Sequence, residues 1–274
     1  MPKPTVLCIA GSDPYGGAGI QADLKSVHAL GGYALTCVTA LTAQNSQGVF
    51  CSQATSATLL RSQVTTLLDD MVVDAVKIGM LANAELIEVV AEIICNYQLS
   101  NVALDTPIIS SSGHPLLEKD AIETLKQRLL PLATVITPNL PEVNSLLGKD
   151  VNDGYQGTDD EMPTIGKEFF ELGVQAVVVK GGHIQSQDLV TDTLLQADAD
   201  AIRFSSPRIL TQHTHGTGCS FSSAMACLLA KGIPLDLAVK QTKQQMQQWL
   251  SQSDQLHLRY LDNQKPRKEP LLHL

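Results

Sequence analysis

Short apolar runs alternate along this chain with longer stretches of helical periodicity, and that alternation limits the possible folds more than any other feature. The strand candidates are Val6–Ala10, Leu35–Ala40, Ala75–Met80, Val102–Asp105, Thr134–Thr137 and Ala176–Lys180. Helical spacing runs through Ile20–Leu30, Ala84–Tyr97, Leu117–Leu130, Pro141–Leu147 and Thr164–Leu172, with Pro141 and Pro163 suited to first turns. Strands rich in Val and Ile, buried on both faces and separated by helices, imply an α/β fold with a mostly parallel, doubly wound sheet. Val190–Leu195 and Ala201–Phe204 flank a polar Ala-Asp-Ala-Asp turn and read as a β-hairpin. Two further helices are expected near 219–231 and 235–251. No repeat, linker or shift in composition divides the chain, so 1–250 reads as one domain. Residues 251–274 read as a loosely packed tail.

Composition removes several classes of function. The chain has 274 residues, 44% hydrophobic and 17% charged, as ordinary globular proteins do. A net charge of −9 argues against a nucleic-acid surface. No apolar run approaches the ~20 residues that a membrane-spanning helix needs. The opening Met-Pro-Lys-Pro-Thr enters the first strand without the pattern of a secretory signal. Cysteines 8, 37, 51, 95, 219 and 227 show no CxxC or Cys/His ligand spacing, so reduced thiols in the cytoplasm are expected. Cys8, Cys37 and Cys95 lie among apolar residues and read as core.

The chemically suggestive residues follow strand ends, where ligands bind in such sheets. Gly11–Gly19 follows the first strand, Asp105 closes another, Asn139 and Glu142 follow a third, and Lys180-Gly181-Gly182 ends a fourth. A further segment, Thr214-His215-Gly216-Thr217-Gly218-Cys219-Ser220, precedes the small apolar run Phe221–Ala230. Glycines there let backbone amides approach a ligand, and a helix N-terminus adds free N–H groups that bind phosphate or an oxyanion. The same field is expected to pull the Cys219 thiolate pKa toward neutrality. A plain Gly turn before a core helix would carry the same letters. No P-loop and no Gly-x-Gly-x-x-Gly after a strand occurs. Two carboxylates, a lysine and an anion cradle are what phosphoryl transfer requires, with Mg²⁺ held by the carboxylates directly or through water.

The segments Ile9-Ala-Gly-Ser-Asp-Pro14, Gly16-Gly-Ala-Gly-Ile-Gln-Ala-Asp-Leu-Lys25, Thr39-Ala-Leu-Thr-Ala-Gln-Asn45, Lys77-Ile-Gly-Met80, Leu104-Asp105, Thr137-Pro-Asn-Leu-Pro-Glu142, Lys180-Gly-Gly-His183 and Thr214-His-Gly-Thr-Gly-Cys219 occur in this order. With them the chain resembles the bacterial hydroxymethylpyrimidine/phosphomethylpyrimidine kinases of thiamine biosynthesis, over about residues 5–250. The resemblance implies a ribokinase-like three-layer αβα fold and a homodimer. It also implies ATP-dependent phosphorylation of hydroxymethylpyrimidine to its monophosphate and then to its diphosphate. It places Gly11, Asp23, Gln44 and Met80 at the pyrimidine. Asp105 and Glu142 would serve Mg²⁺, and Asn139, Lys180, Gly182 and Thr217 the ATP phosphates. Gly216, Thr217 and Gly218 would form the anion hole with Lys180 beside it, and Cys219 would be the base. Each has a plainer reading: Asp23 as a helix-surface carboxylate, Met80 as core, Asn139 and Glu142 as a helix start.

The chain departs from the family pattern in three places. Tyr15 stands where a small Ser is usual, Pro107 replaces an aliphatic residue, and the usual Gly-His-Gly and Asn-His-Phe ending is missing from the tail. A pyridoxal/pyridoxine kinase is the nearest alternative activity. A catalytically silent pyrimidine-binding protein is an alternative of another class, since fold alone does not establish catalysis.

Overall fold

The protein was analysed as a computed structural model, which describes residues 2–108, 116–118, 120–150, 153–182, 188–256, 258–261 and 269–271. Its sheet has nine strands: β1 (Thr5–Ser12), β2 (Tyr33–Asn45), β3 (Gly48–Ala54), β4 (Ala75–Ile78), β5 (Val102–Leu104), β6 (Val135–Ile136), β7 (Ala176–Val179), β8 (Leu189–Gln196) and β9 (Ile202–Pro207). Their spatial order is β3-β2-β1-β4-β5-β6-β7-β8-β9. The six strands from β2 to β7 in that order pair in parallel, while β3, β8 and β9 run antiparallel.

Helices α1 (Gly19–Ala29), α2 (Ala57–Leu68), α3 (Ala84–Tyr97), α4 (Ala121–Thr124), α5 (Leu140–Leu146), α6 (Met162–Glu171), α7 (Thr217–Ala230) and α8 (Leu235–Gln252) cover both faces. Alternation along the strands divides the core in two. Leu7 and Ile9 of β1 and Val177 and Val179 of β7 point into one cluster, with α2, α3 and α6. Val6, Cys8, Ala176 and Val178 point into the other, with α7 and α8. This is the three-layer αβα arrangement expected.

Several local readings change. β2 runs on past Ala40 to Asn45 and turns into β3, so Gln44 belongs to a strand, not a loop. The polar composition of 42–48 hides this extension, because an edge hairpin facing solvent needs no apolar alternation. Helix α2 carries only Leu60 and Val64 as fully buried residues, too sparse a stripe to stand out. The expected helix Leu117–Leu130 is instead α4, continued by a π-helical turn (Leu125–Leu129) and a 3₁₀ turn (Leu130–Leu132). Leu117 pairs with Ala82 outside it. Cys8 and Cys37 are buried as expected, whereas Cys95 is exposed on α3. The tail is not loose where described: Leu271 is buried and Pro270 bridges to His215. Residues 109–115, which follow Pro107, and His183 lie outside the described residues. No helix among the described residues is long and apolar enough to cross a membrane.

Candidate active site

β1 lies between β2 and β4, so the strand order reverses there and opens a crevice at the carboxyl ends of the strands. A cleft of about 1590 Å³ occupies this edge. Every sequence-expected site residue lines it except Asp23.

At one end stand Asp105, just past β5, and Lys180, just past β7. The Lys180 N–H donates to Pro138 O, and a backbone bridge joins Asn139 to Lys180, so the ends of β6 and β7 fix both positions. Lys180 Nζ donates to Asp105 Oδ1 at 3.0 Å, and Thr137 Oγ1 donates to the same oxygen at 3.3 Å. Burial works against the Lys180 ammonium, but Asp105 and Glu142 raise its pKa above the ordinary value. Glu142 starts α5 in a capping box: its N–H donates to Asn139 Oδ1 and its own Oε2 accepts from the Asn139 N–H, both at 2.9 Å. The helix-start reading of Asn139 and Glu142 is therefore correct, and both residues still face the cleft. Burial pushes the Glu142 carboxyl up to about 7, with Lys180 opposing and Asp105 reinforcing the shift.

Helix α7 aims its N-terminus at this pair. A Cβ placed on Gly218 would lie 3.5 Å from Asp105 Oδ2 and 3.7 Å from Lys180 Nζ. Gly216 has φ +85°, and a Cβ there would meet Gly17 O at 1.6 Å, so only glycine fits. The Thr217 N–H is taken by Thr214 O at 3.3 Å. That leaves the amide of Gly216 and those of Gly218 and Cys219, the last two being first-turn donors the helix does not use internally. The expected acidification of Cys219 is overturned. Burial pushes its thiol up to about 11, and Lys77 and the Gly19 N–H lower it only in part, with Asp23 and Asp105 adding to the rise.

At the other end, Gly11 and Met80 meet face to face, since a Cβ on Gly11 would lie 2.5 Å from Met80 Cε. Gln44 reaches in from β2, its Nε2 3.2 Å from His215 Nε2. The same ring nitrogen lies 2.8 Å from Asp13 Oδ2. Asp13 also accepts from the backbone N–H groups of Tyr15, Gly17 and Ala18, which organises the glycine loop. Asp23 does not contact the cleft. It is fully buried, bonded through Oδ1 to Lys77 Nζ and Ser223 Oγ at 2.7 Å each, on the side of α1 that packs against α7. The buried Lys77 cation holds this carboxylate through Oδ1, while Oδ2 is buried with no hydrogen-bond partner among the described residues.

Three groups escaped the sequence reading. Lys77 is a lysine inside an apolar strand, which is itself the signal of a buried ion pair. Asp13 and His215 organise the loops around the cleft, and their positions beside Gly16-Gly17 and Gly216 were the available clue. Asp192 accepts from Gly181 N at 3.0 Å and from Lys243 at 2.9 Å, holding the turn that carries Lys180. No local motif marks that last pair.

Comparison with known proteins agrees with this arrangement. The phosphomethylpyrimidine kinase family model matches residues 13–262. The hydroxymethylpyrimidine/phosphomethylpyrimidine kinase of Escherichia coli K12 is 41% identical over 258 residues, covering 94% of this chain and 95% of that protein. Among solved structures, a phosphomethylpyrimidine kinase from Clostridium difficile 630 superimposes with a TM-score of 0.77 at 35% identity, covering 90% of this chain and 99% of the other. An ADP complex of Bacillus subtilis pyridoxal kinase superimposes at 0.79 with 36% identity, covering 89% and 90%. The chain belongs to the phosphomethylpyrimidine kinase family.

Proposed function

We propose that this enzyme uses ATP to phosphorylate 4-amino-5-hydroxymethyl-2-methylpyrimidine, and then its monophosphate, in the thiamine biosynthetic route. The carrying observation is the Asp105–Lys180 ion pair at 3.0 Å under the first turn of α7, in one cleft with Gly11, Gln44 and Met80. One end suits a polyphosphate and the other a small flat ring with hydrogen-bonding edges. Phosphoryl transfer passes through a loose transition state and needs positioning and charge stabilisation above all. Lys180 and the Gly218 and Cys219 amides supply the stabilisation, while Gln44 orients the ring.

Asp105 and Glu142 fit Mg²⁺ in chemistry, being oxygen donors nearly closed to solvent. Among the described residues no group of three or more His, Cys, Asp or Glu side chains converges, so phosphate oxygens and water would complete the shell. When bound, the ion would neutralise charge between the transferring and leaving phosphates. Asn139, Gly182 and Thr217 line the phosphate end beside them. We assign the substrate hydroxyl proton to Cys219, which lines the cleft in the first turn of α7. With a pKa of about 11, on the order of 10⁻⁴ of it is thiolate at neutral pH. Its contribution therefore belongs to the alcohol substrate, because the monophosphate arrives already anionic.

A homodimer in the cytoplasm completes the proposal. Leu41 and Phe50, exposed on the β2–β3 hairpin, offer apolar surface for a second copy to cover. An ATP-dependent assay with hydroxymethylpyrimidine, its monophosphate and pyridoxal side by side tests the reading. Turnover of both pyrimidines is expected; a much larger kcat/KM for pyridoxal, or ligand binding without ATP consumption, overturns it.

A further inference from the structure

Tyr15 and the C-terminal tail are two of the places where the sequence departs from its family pattern, and the fold puts them in contact. Tyr15 Oη lies 2.5 Å from Tyr260 Oη. The Tyr15 ring packs on the His215 ring, with centroids 5.8 Å apart and planes tilted by 36°. One ring nitrogen, His215 Nε2, meets both Asp13 Oδ2 and Gln44 Nε2. The tail is fastened at a second point, where Leu271 N donates to His215 O at 3.1 Å and the Leu271 side chain is buried in the core. Glu269 ties the two points together: its side chain hydrogen-bonds Tyr260, and its N–H donates to His213 Nδ1 at 3.3 Å.

We propose that Tyr260 is a positioning residue for the pyrimidine end of the cleft, acting through Tyr15 and His215 on Gln44, with the Leu271–His215 bond as its anchor. Neither tyrosine lines the cleft, so the effect passes through the His215 ring. Burial and the hydrogen bonds to Tyr15 and Glu269 push the Tyr260 phenol above its ordinary range, so it stays a neutral donor that can bridge Tyr15 to Glu269. Two polar side chains whose hydroxyls meet cost ordering entropy that open solvent would not demand, and the return is a fixed His215 ring. This inference rests on the pyrimidine kinase reading for its substrate but not for its contacts.

The test uses the full chain with Tyr260→Phe, Tyr15→Phe and the double variant. Both single variants remove the Tyr15–Tyr260 hydrogen bond, and Tyr260→Phe removes the bond to Glu269 as well; a two- to tenfold rise in KM for hydroxymethylpyrimidine is expected in each. KM for ATP and kcat should stay within about twofold, and the double variant should match Tyr260→Phe, in which the Tyr15–Tyr260 bond is already lost. Amide exchange at Gly17 and Ala18, the donors to Asp13, is read in the same proteins and should quicken in each variant. Unchanged KM and exchange overturn the proposal. So do multiplying effects in the double variant, or equal losses in KM for ATP and kcat, which mark general loosening. If the wild type phosphorylates no pyrimidine, the functional reading fails, while the exchange rates still decide whether Tyr260 sets the His215 loop.

Discussion

The Lys77 ammonium donates to the Asp23 carboxylate at 2.7 Å, with neither side chain exposed. Burial works against both charges: it raises the Asp23 carboxyl pKa although Lys77 and Ser223 oppose, while Asp23 raises the Lys77 ammonium pKa above its ordinary value. The pair ties β4 to α1 and, through Ser223, to α7, the helix that carries the anion cradle. Lys77→Met leaves Asp23 buried and uncompensated, and a loss of about 3–5 kcal/mol is expected. Urea unfolding measures it. A loss below about 1 kcal/mol would mean that Asp23 finds water or a proton at little cost.

In the proposed reaction the Asp105–Lys180 pair serves the transferring phosphate, not the ring. Lys180→Met should lower kcat by about 10²–10³-fold and leave KM for the pyrimidine nearly unchanged, because the lysine acts where charge develops. Asp105→Asn combined with Lys180→Met should cost much less than the product of the two single losses. Steady-state kinetics of all three proteins checks both statements; multiplying losses would show that the two side chains act separately.

Much of the fold was legible because β1, β4 and β7 are buried on both faces and carry apolar runs, broken in β4 only by Lys77. β3 and α2 were not, since both face solvent and bury few residues. The phosphate end was legible because Asp105 and Lys180 sit directly after strands and Glu142 opens the helix that follows β6. Asp23 misled for a physical reason: helical spacing does not say whether a carboxylate turns to the core, and only Lys77, 54 residues away, settles it. His215 is similar, for its partners Asp13 and Gln44 lie 202 and 171 residues distant.

Glycines at the two ends of the cleft should respond differently to a methyl group. In Gly216→Ala the Cβ strikes the backbone oxygen of Gly17 at 1.6 Å in a left-handed conformation, so the loop must open. Loss of most activity with both substrates is expected. In Gly11→Ala the nearest atom is the mobile end of Met80 at 2.5 Å, which can swing away into the pocket. A severalfold rise in KM for the pyrimidine with KM for ATP unchanged is expected; the reverse pattern would assign Gly11 to the nucleotide.

Asp13 makes the glycine loop sensitive to acid. Burial raises its pKa, but the bonds from His215 and the amides of Ala18 and Tyr15 win and hold it below the ordinary carboxylate range. A group depressed in the folded state adds stability that is complete above its unfolded pKa, about 4, and is lost as pH falls through the folded value. Asp13→Asn should therefore cost about 1–3 kcal/mol at pH 7 and remove part of the fall in stability below pH 4. Urea titrations of both proteins across that range measure it, and parallel curves would discount the carboxylate.

Cys219 separates the pull of the helix from the push of burial. With its thiol at about 11, alkylation of Cys219 by iodoacetamide should be slow at pH 7, rising about tenfold per pH unit to pH 9 without a plateau. The exposed Cys51 and Cys95 serve as internal references when the sites are resolved by peptide mass. A plateau near neutrality would show that the α7 field prevails over desolvation. Cys219→Ala should then distinguish the two phosphorylations. A base is worth about 10²–10⁴-fold when a hydroxyl must lose its proton, and far less for an acceptor that is already a phosphate. The expected ratio of losses, alcohol over monophosphate, is at least about tenfold. Equal losses would make Cys219 a residue that shapes the cradle, with the proton leaving by another path.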